Sequence, residues 1–127
     1  MTAPEIHDAI AITTIWREAR GESWAGKVAV ANVIRNRMAD PRWLDTPGGV
    51  CCQPAQFSCW QDGQVIRFPD DGDTLRECAA AWINSGLDDH VDLSIGANHY
   101  HSDKVLPRWA YPYAMTVSIG RHKFYKL

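Results

Sequence analysis

From Glu5 to Ala19 the apolar positions Ile6, Ala9, Ile10, Ala11, Ile12, Ile15, Trp16 and Ala19 recur around almost the whole helical circumference. That pattern predicts a helix buried on all sides. Gly21, just beyond it, reads as a C-cap. A second helix is expected from about Ser23 to Ala39. Val30, Ala31, Ile34 and Met38 give it a single apolar stripe at three- and four-residue spacing. Ser23 is its expected N-cap, and Pro41 marks its exit. Residues 41–73 show no sustained period and are punctuated by Pro and Gly. They read as a loop, and a loop this long in a small domain is usually functional or forms a wall of a cleft. Thr74-x-x-Glu77 has the form of a capping box. It would open a third helix, with Leu75, Cys78, Ala79 and Trp82 on one side and Gly86 at its end. Farther on, Ile95–His101 and Met115–Phe124 read as short strands, Val117 and Ile119 alternating with Thr116 and Ser118. Helices first and strands last is the order of an α+β domain.

The chain of 127 residues is enough for one domain with one hydrophobic core. With 46% hydrophobic and 22% charged residues it is globular rather than disordered. Thirteen Lys and Arg against fifteen Asp and Glu give a net charge of −2, which argues against a nucleic-acid or anionic-membrane partner held by bulk charge. The longest apolar stretch, Ala9 to Trp16, is too short to cross a bilayer, so no membrane insertion is expected. Acids stand near the N-terminus where a secretory leader needs Lys or Arg, so synthesis in the cytoplasm without a signal peptide is expected. Cys51, Cys52, Cys59 and Cys78 lack the paired spacing of a zinc site and are too few for a disulfide scaffold. They read as free, partly buried thiols, with one or two bridges as the alternative. No phosphate loop, dinucleotide fingerprint or serine nucleophile elbow occurs, and no cofactor is expected.

Glu18 is the first candidate for chemistry. It falls in the last turn of the first helix, in a sector flanked by Ile10 and Ile15. Apolar company and the negative end of a helix dipole both favour the neutral acid, which is what a general acid requires. A Glu paired with Arg17 or Arg20 is the structural alternative. Glu22, at the start of the second helix, is stabilised as a carboxylate by the helix N-terminus and is a supporting candidate. His99 and His101 form His-x-His. On a strand both rings would share a face, with Asp103 or His122 as a third group around a metal, but lining a polar cleft is the simpler role, with Tyr100 pointing the other way. The segment Gln56-Phe57-Ser58-Cys59-Trp60 mixes aromatic faces with short polar groups, as a sugar subsite does. It could equally be a loop pinned to the core by Phe57 and Trp60. The six Trp also leave a carbohydrate site open.

Glu18-Ala-Arg-Gly-Glu22, followed by Gly26-Lys-Val-Ala-Val-Ala-Asn-Val-Ile-Arg-Asn-Arg37, resembles the opening signature of the SleB/CwlJ-type cell-wall hydrolases, the spore-cortex-lytic enzymes and their relatives. Pro54-Ala-Gln-Phe-Ser-Cys-Trp60, Gly96-Ala-Asn-His-Tyr-His101, Pro107-Arg-Trp109 and Ile119-Gly-Arg-His-Lys-Phe-Tyr125 follow in the family's order. The resemblance spans roughly Trp16 to Tyr125. It implies a lysozyme-like transglycosylase domain, a helical body with a small antiparallel β element beside a cleft. It implies cleavage of peptidoglycan between N-acetylmuramic acid and N-acetylglucosamine, with Glu18 as the acid and 1,6-anhydro ends as the product. Phe57, Ser58, Trp60, His99, Tyr100 and Trp109 are the candidates for holding the glycan strand. The expected form is a single monomeric catalytic domain without a separate wall-binding module or metal, as in a phage or prophage endolysin. A hydrolysing muramidase, a metal-dependent amidase or peptidase using His99 and His101, and a non-catalytic glycan-binding module are the alternatives.

Overall fold

Thr2 opens the first helix with a reciprocal cap: its hydroxyl accepts the Glu5 N–H at 3.3 Å, and the Glu5 carboxylate accepts the Thr2 N–H at 2.6 Å. The computed structural model describes residues 2–53, 57, 60 and 72–127. Among these the order is α1 (Ala3–Ala19), α2 (Trp24–Met38), a short α3 (Pro47–Cys51), α4 (Gly72–Ser85), β1 (His99–Ser102), β2 (Met115–Ile119) and β3 (His122–Tyr125), with a 3-10 turn at Pro112–Ala114 leading into β2. The strands form an antiparallel sheet in the order β1-β3-β2, with Tyr100 opposite Phe124 and Ser102 opposite His122.

The two long helices exchange the roles their patterns predict. α1 buries only one side, through Ala11, Thr14, Ile15, Trp16 and Ala19, while Ile6 stays 46% exposed. α2 is the central helix. Every residue from Gly26 to Ile34 is buried, and so is Arg37. Its single apolar stripe was misleading because its polar residues are buried or half-buried and held in hydrogen bonds. Asn32 accepts the Leu93 N–H at 3.0 Å, and Asn36 donates to Asp92 at 2.9 Å and to the Ala97 carbonyl at 2.8 Å. Arg35 donates to the Trp82 carbonyl and Arg37 to the Asn98 carbonyl, at 2.9 and 2.7 Å. A buried polar group costs little once it is paired, so such a helix hides inside a core with a mixed sequence.

Boundaries also move: β1 starts at His99 rather than Ile95, because Ile95 and Gly96 both take positive φ. α4 starts at Gly72, which places Thr74 inside the helix rather than at its cap. The Met115–Phe124 stretch is not one strand but β2 and β3 joined by Gly120 and Arg121. Gly120, at φ +57°, takes the first position of this two-residue turn, where a left-handed glycine is the usual choice. Cys51 and Cys78 are buried thiols, and Cys52 is exposed; Cys59 lies outside the described residues. Burial pushes the Cys78 thiol up to about 11, which makes it inert as a nucleophile at neutral pH.

Candidate active site

The site forms where α1 stops and α2 starts. Arg20, not Gly21, caps α1, and it does so in a right-handed conformation with φ −58°. The Glu22 N–H returns to the Ala19 carbonyl at 2.9 Å, and Ser23 begins the next helix at once by accepting the Gly26 N–H at 3.2 Å. This tight corner presents residues 17–22 as one wall of an open cleft of about 350 Å³. Ser102, Asp103 and Lys104, at and beyond the end of β1, form the other wall with Arg121 and His122 of the hairpin. Glu18 and Glu22 therefore face one cavity, Glu18 partly buried in the last turn of α1.

Glu22 is tied to the opposite wall. Its Oε1 accepts the Arg121 N–H at 2.9 Å, and its backbone carbonyl accepts from the buried Lys27 Nζ at 2.6 Å. A Cβ added at Gly120 would stand 2.5 Å from the same Oε1. Glycine is thus demanded there twice, by the turn and by the carboxylate lying on it.

Strand alternation sorts the remaining candidates by face. Tyr100, Ser102, His122 and Phe124 share one face, and the Tyr100 and His122 rings meet at 4.9 Å. That is the face that supplies Ser102 and His122 to the cleft. His99 and His101 occupy the other face, packed with Trp109 at 4.9 and 5.8 Å. His101 uses both nitrogens: Nδ1 donates to the Ser102 carbonyl at 2.7 Å, and Nε2 accepts from the Tyr125 hydroxyl at 2.9 Å. His99 donates from Nδ1 to Asn98 at 2.8 Å, and burial, aided by Arg37 and Arg42, pushes its pKa down to about 4. With His122 on the opposite face, the three imidazoles do not converge, and no cluster of three metal-ligating side chains occurs among the described residues. Phe57 is 2% exposed, lying beside Tyr100 and under the Arg37 guanidinium, so its ring has no open face for a sugar. Trp60 donates from Nε1 to Thr14 at 2.7 Å and packs against the core. Ser58 lies outside the described residues.

Sequence reasoning missed Ser102, Lys104 and Arg121 as cleft walls, and it weighed Asp103 and His122 only as metal ligands. The available signal was Gly120-Arg121, a two-residue hairpin turn inside an alternating run. Recognising it would have put Arg121 and His122 at the tip of the sheet.

The pattern of the cell wall hydrolase family matches residues 21–125, most of the chain. The chain belongs to that family. Glu22 lies inside the matched span and Glu18 three residues before it. A spore cortex-lytic enzyme of Halalkalibacterium halodurans is 35% identical over 111 residues, covering 87% of this chain and 32% of the relative. One from Bacillus subtilis is 32% identical over 110 residues, covering 87% and 34%. The chain thus spans about a third of the length of these relatives. The fold is shared with two solved structures. The catalytic domain of the Bacillus cereus SleB protein superposes with a TM-score of 0.74 at 27% identity, covering 96% of this chain and 91% of that one. The catalytic domain of the germination-specific lytic transglycosylase SleB from Bacillus anthracis gives 0.74 at 29% identity, covering 99% and 97%. The helical body with its small antiparallel sheet is therefore the lysozyme-like transglycosylase domain of this family.

Proposed function

We propose that this chain is a lytic transglycosylase of the bacterial cell wall, cutting peptidoglycan strands between N-acetylmuramic acid and N-acetylglucosamine with Glu18 as its acid and base. The observation that carries this reading is the placing of two glutamates in one cleft, one of them bonded to the opposite wall. Glu22 holds the Arg121 backbone with its Oε1, while Glu18 lines the same cavity from the last turn of α1.

The chemistry then needs one carboxyl. Glu18 gives its proton to the glycosidic oxygen as the bond from C1 of the muramyl ring to that oxygen breaks, and positive charge builds at C1. The resulting Glu18 carboxylate takes the proton of the C6 hydroxyl as O6 bonds to C1, closing the 1,6-anhydro ring. No water is consumed, and Glu18 ends as it began. A tethered hydroxyl competes well with solvent because its translational entropy is already lost. Mass spectrometry of digested sacculi tests this directly: anhydro ends lack one water relative to hydrolysed ends. Fully hydrated products would overturn it in favour of a hydrolysing muramidase, for which Glu22 or Asp103, the cleft's other two carboxylates, would position the water.

Activity should survive EDTA, because the proposed steps use only the carboxyl of Glu18. Inactivation by chelator with rescue by Zn²⁺ would reinstate metal-dependent cleavage through His99 and His101.

A further inference from the structure

His122 is the one imidazole on the wall opposite Glu18, and it is only 6% exposed. Its ring is held between Tyr100, at 4.9 Å and 56°, and Phe124, at 6.2 Å and nearly perpendicular. The ring is therefore fixed rather than turning to suit solvent. Its Nδ1 is buried with no hydrogen-bond partner among the described residues. An unpaired buried polar atom is uncommon and costs roughly 1–3 kcal/mol, so its presence in a cleft wall calls for a reason.

Resting on the reading of the cleft as a glycan site, we propose that His122 carries its proton on Nε2 and donates it to a neutral oxygen, hydroxyl or acetamido carbonyl, of the amino-sugar strand bound against Glu18. The tautomer follows from the buried side of the ring. Orphaned N–H groups are rarer in proteins than under-used acceptors, so the partnerless Nδ1 is the lone-pair nitrogen and the proton sits on Nε2. The charge state agrees. Burial lowers the pKa of His122, His101 pushes the same way, and Glu22 and Asp103 pull against them without reversing the shift. A neutral imidazole with one N–H suits an uncharged sugar oxygen, whereas a carboxylate ligand would call for the imidazolium. The aromatic packing supplies the rigidity that lets a single donor discriminate.

Side-chain nitrogen NMR of the wild-type protein at neutral pH, before and after adding a neutral β-1,4-linked N-acetylglucosamine oligosaccharide, tests this. The expected result is the Nε2–H tautomer for His122, with its ring signals moving as the oligosaccharide saturates the Gly21 and Glu22 amides. An Nδ1–H tautomer overturns the proposal, and so does a His122 signal that stays still while those amides move. If none of these signals moves, the glycan reading of the cleft falls with it. In kinetics, His122→Leu should lower kcat/KM by roughly 3- to 10-fold, the worth of one neutral hydrogen bond. His122→Gln, which restores an N–H donor near the Nε2 position, should recover part of that loss. A merely structural histidine would instead show equal losses in both variants that track their melting temperatures.

Discussion

Glu18→Gln should abolish clearing of cell-wall suspensions while leaving the unfolding transition in place. The amide keeps the shape of the side chain in the last turn of α1 but has no acidic proton to give and cannot take one back. Loss of a general acid costs about 10²–10⁴ in rate, and here one group serves both half-reactions, so the upper part of that range is expected. Turbidity loss at matched protein concentration measures it, and near wild-type clearing by the variant would sink the assignment. Glu22→Gln is the informative contrast. Its amide oxygen can still accept the Arg121 N–H, so activity should fall only partially. Glu22→Ala removes that acceptor and should cost more, through the hairpin wall rather than through the chemistry. If Glu22→Gln were dead and Glu18→Gln active, the two roles would be reversed.

Trp82→Ala should be the most damaging change away from the cleft. Trp82 is 2% exposed, and its Nε1 donates to Asp8 on α1 at 2.9 Å. The Arg35 guanidinium of α2 lies 3.5 Å from its ring centroid. One side chain of α4 thus joins all three long helices. Truncating a buried Trp to Ala costs about 3–5 kcal/mol. For a domain of this size the melting temperature should fall by on the order of 10 °C. Trp82→Phe keeps the ring face under Arg35 and loses the N–H to Asp8, so about 0.5–1.5 kcal/mol is expected. Urea unfolding of both variants checks the order. A loss below about 1 kcal/mol for the alanine variant would mean that the site collapses to refill the space.

The elements that could be read from the sequence were those whose cause is local. Ser23 caps α2 as its residue type predicts, Gly86 follows the end of α4, and the alternation of Val117 and Ile119 marks a real strand. The placing of Glu18 and Glu22 at a helix–helix corner was also legible. What the sequence hid depended on partners far along the chain. Asn32, Asn36 and Arg37 look like a solvated face until Leu93, Asp92 and Asn98 are brought to them. In the same way, Phe57 looks like a sugar platform until Tyr100 and Arg37 are seen against it. The two faces of β1 were separable by alternation, but which face met Glu18 was not. That choice is made by the Gly120 turn and by the Glu22 bond to Arg121, neither of which leaves a periodic trace.

The wiring of α2 has a consequence for how the chain comes to its shape during synthesis. Its Asn32, Arg35, Asn36 and Arg37 side chains bond to residues 82–98, which leave the ribosome long after the helix itself. Until they arrive, α1 and α2 can collapse only by burying Asn32, Asn36 and Arg37 without partners, which opposes stable docking. Contacts of such long sequence separation delay folding and keep intermediates exposed. Nascent chains arrested before residue 90 should therefore remain open to protease, and resistance should appear in a single step once Asn98 has emerged. Because the cleft takes its second wall from β1 and the hairpin, it would stay unformed in every nascent chain that has not yet released His122.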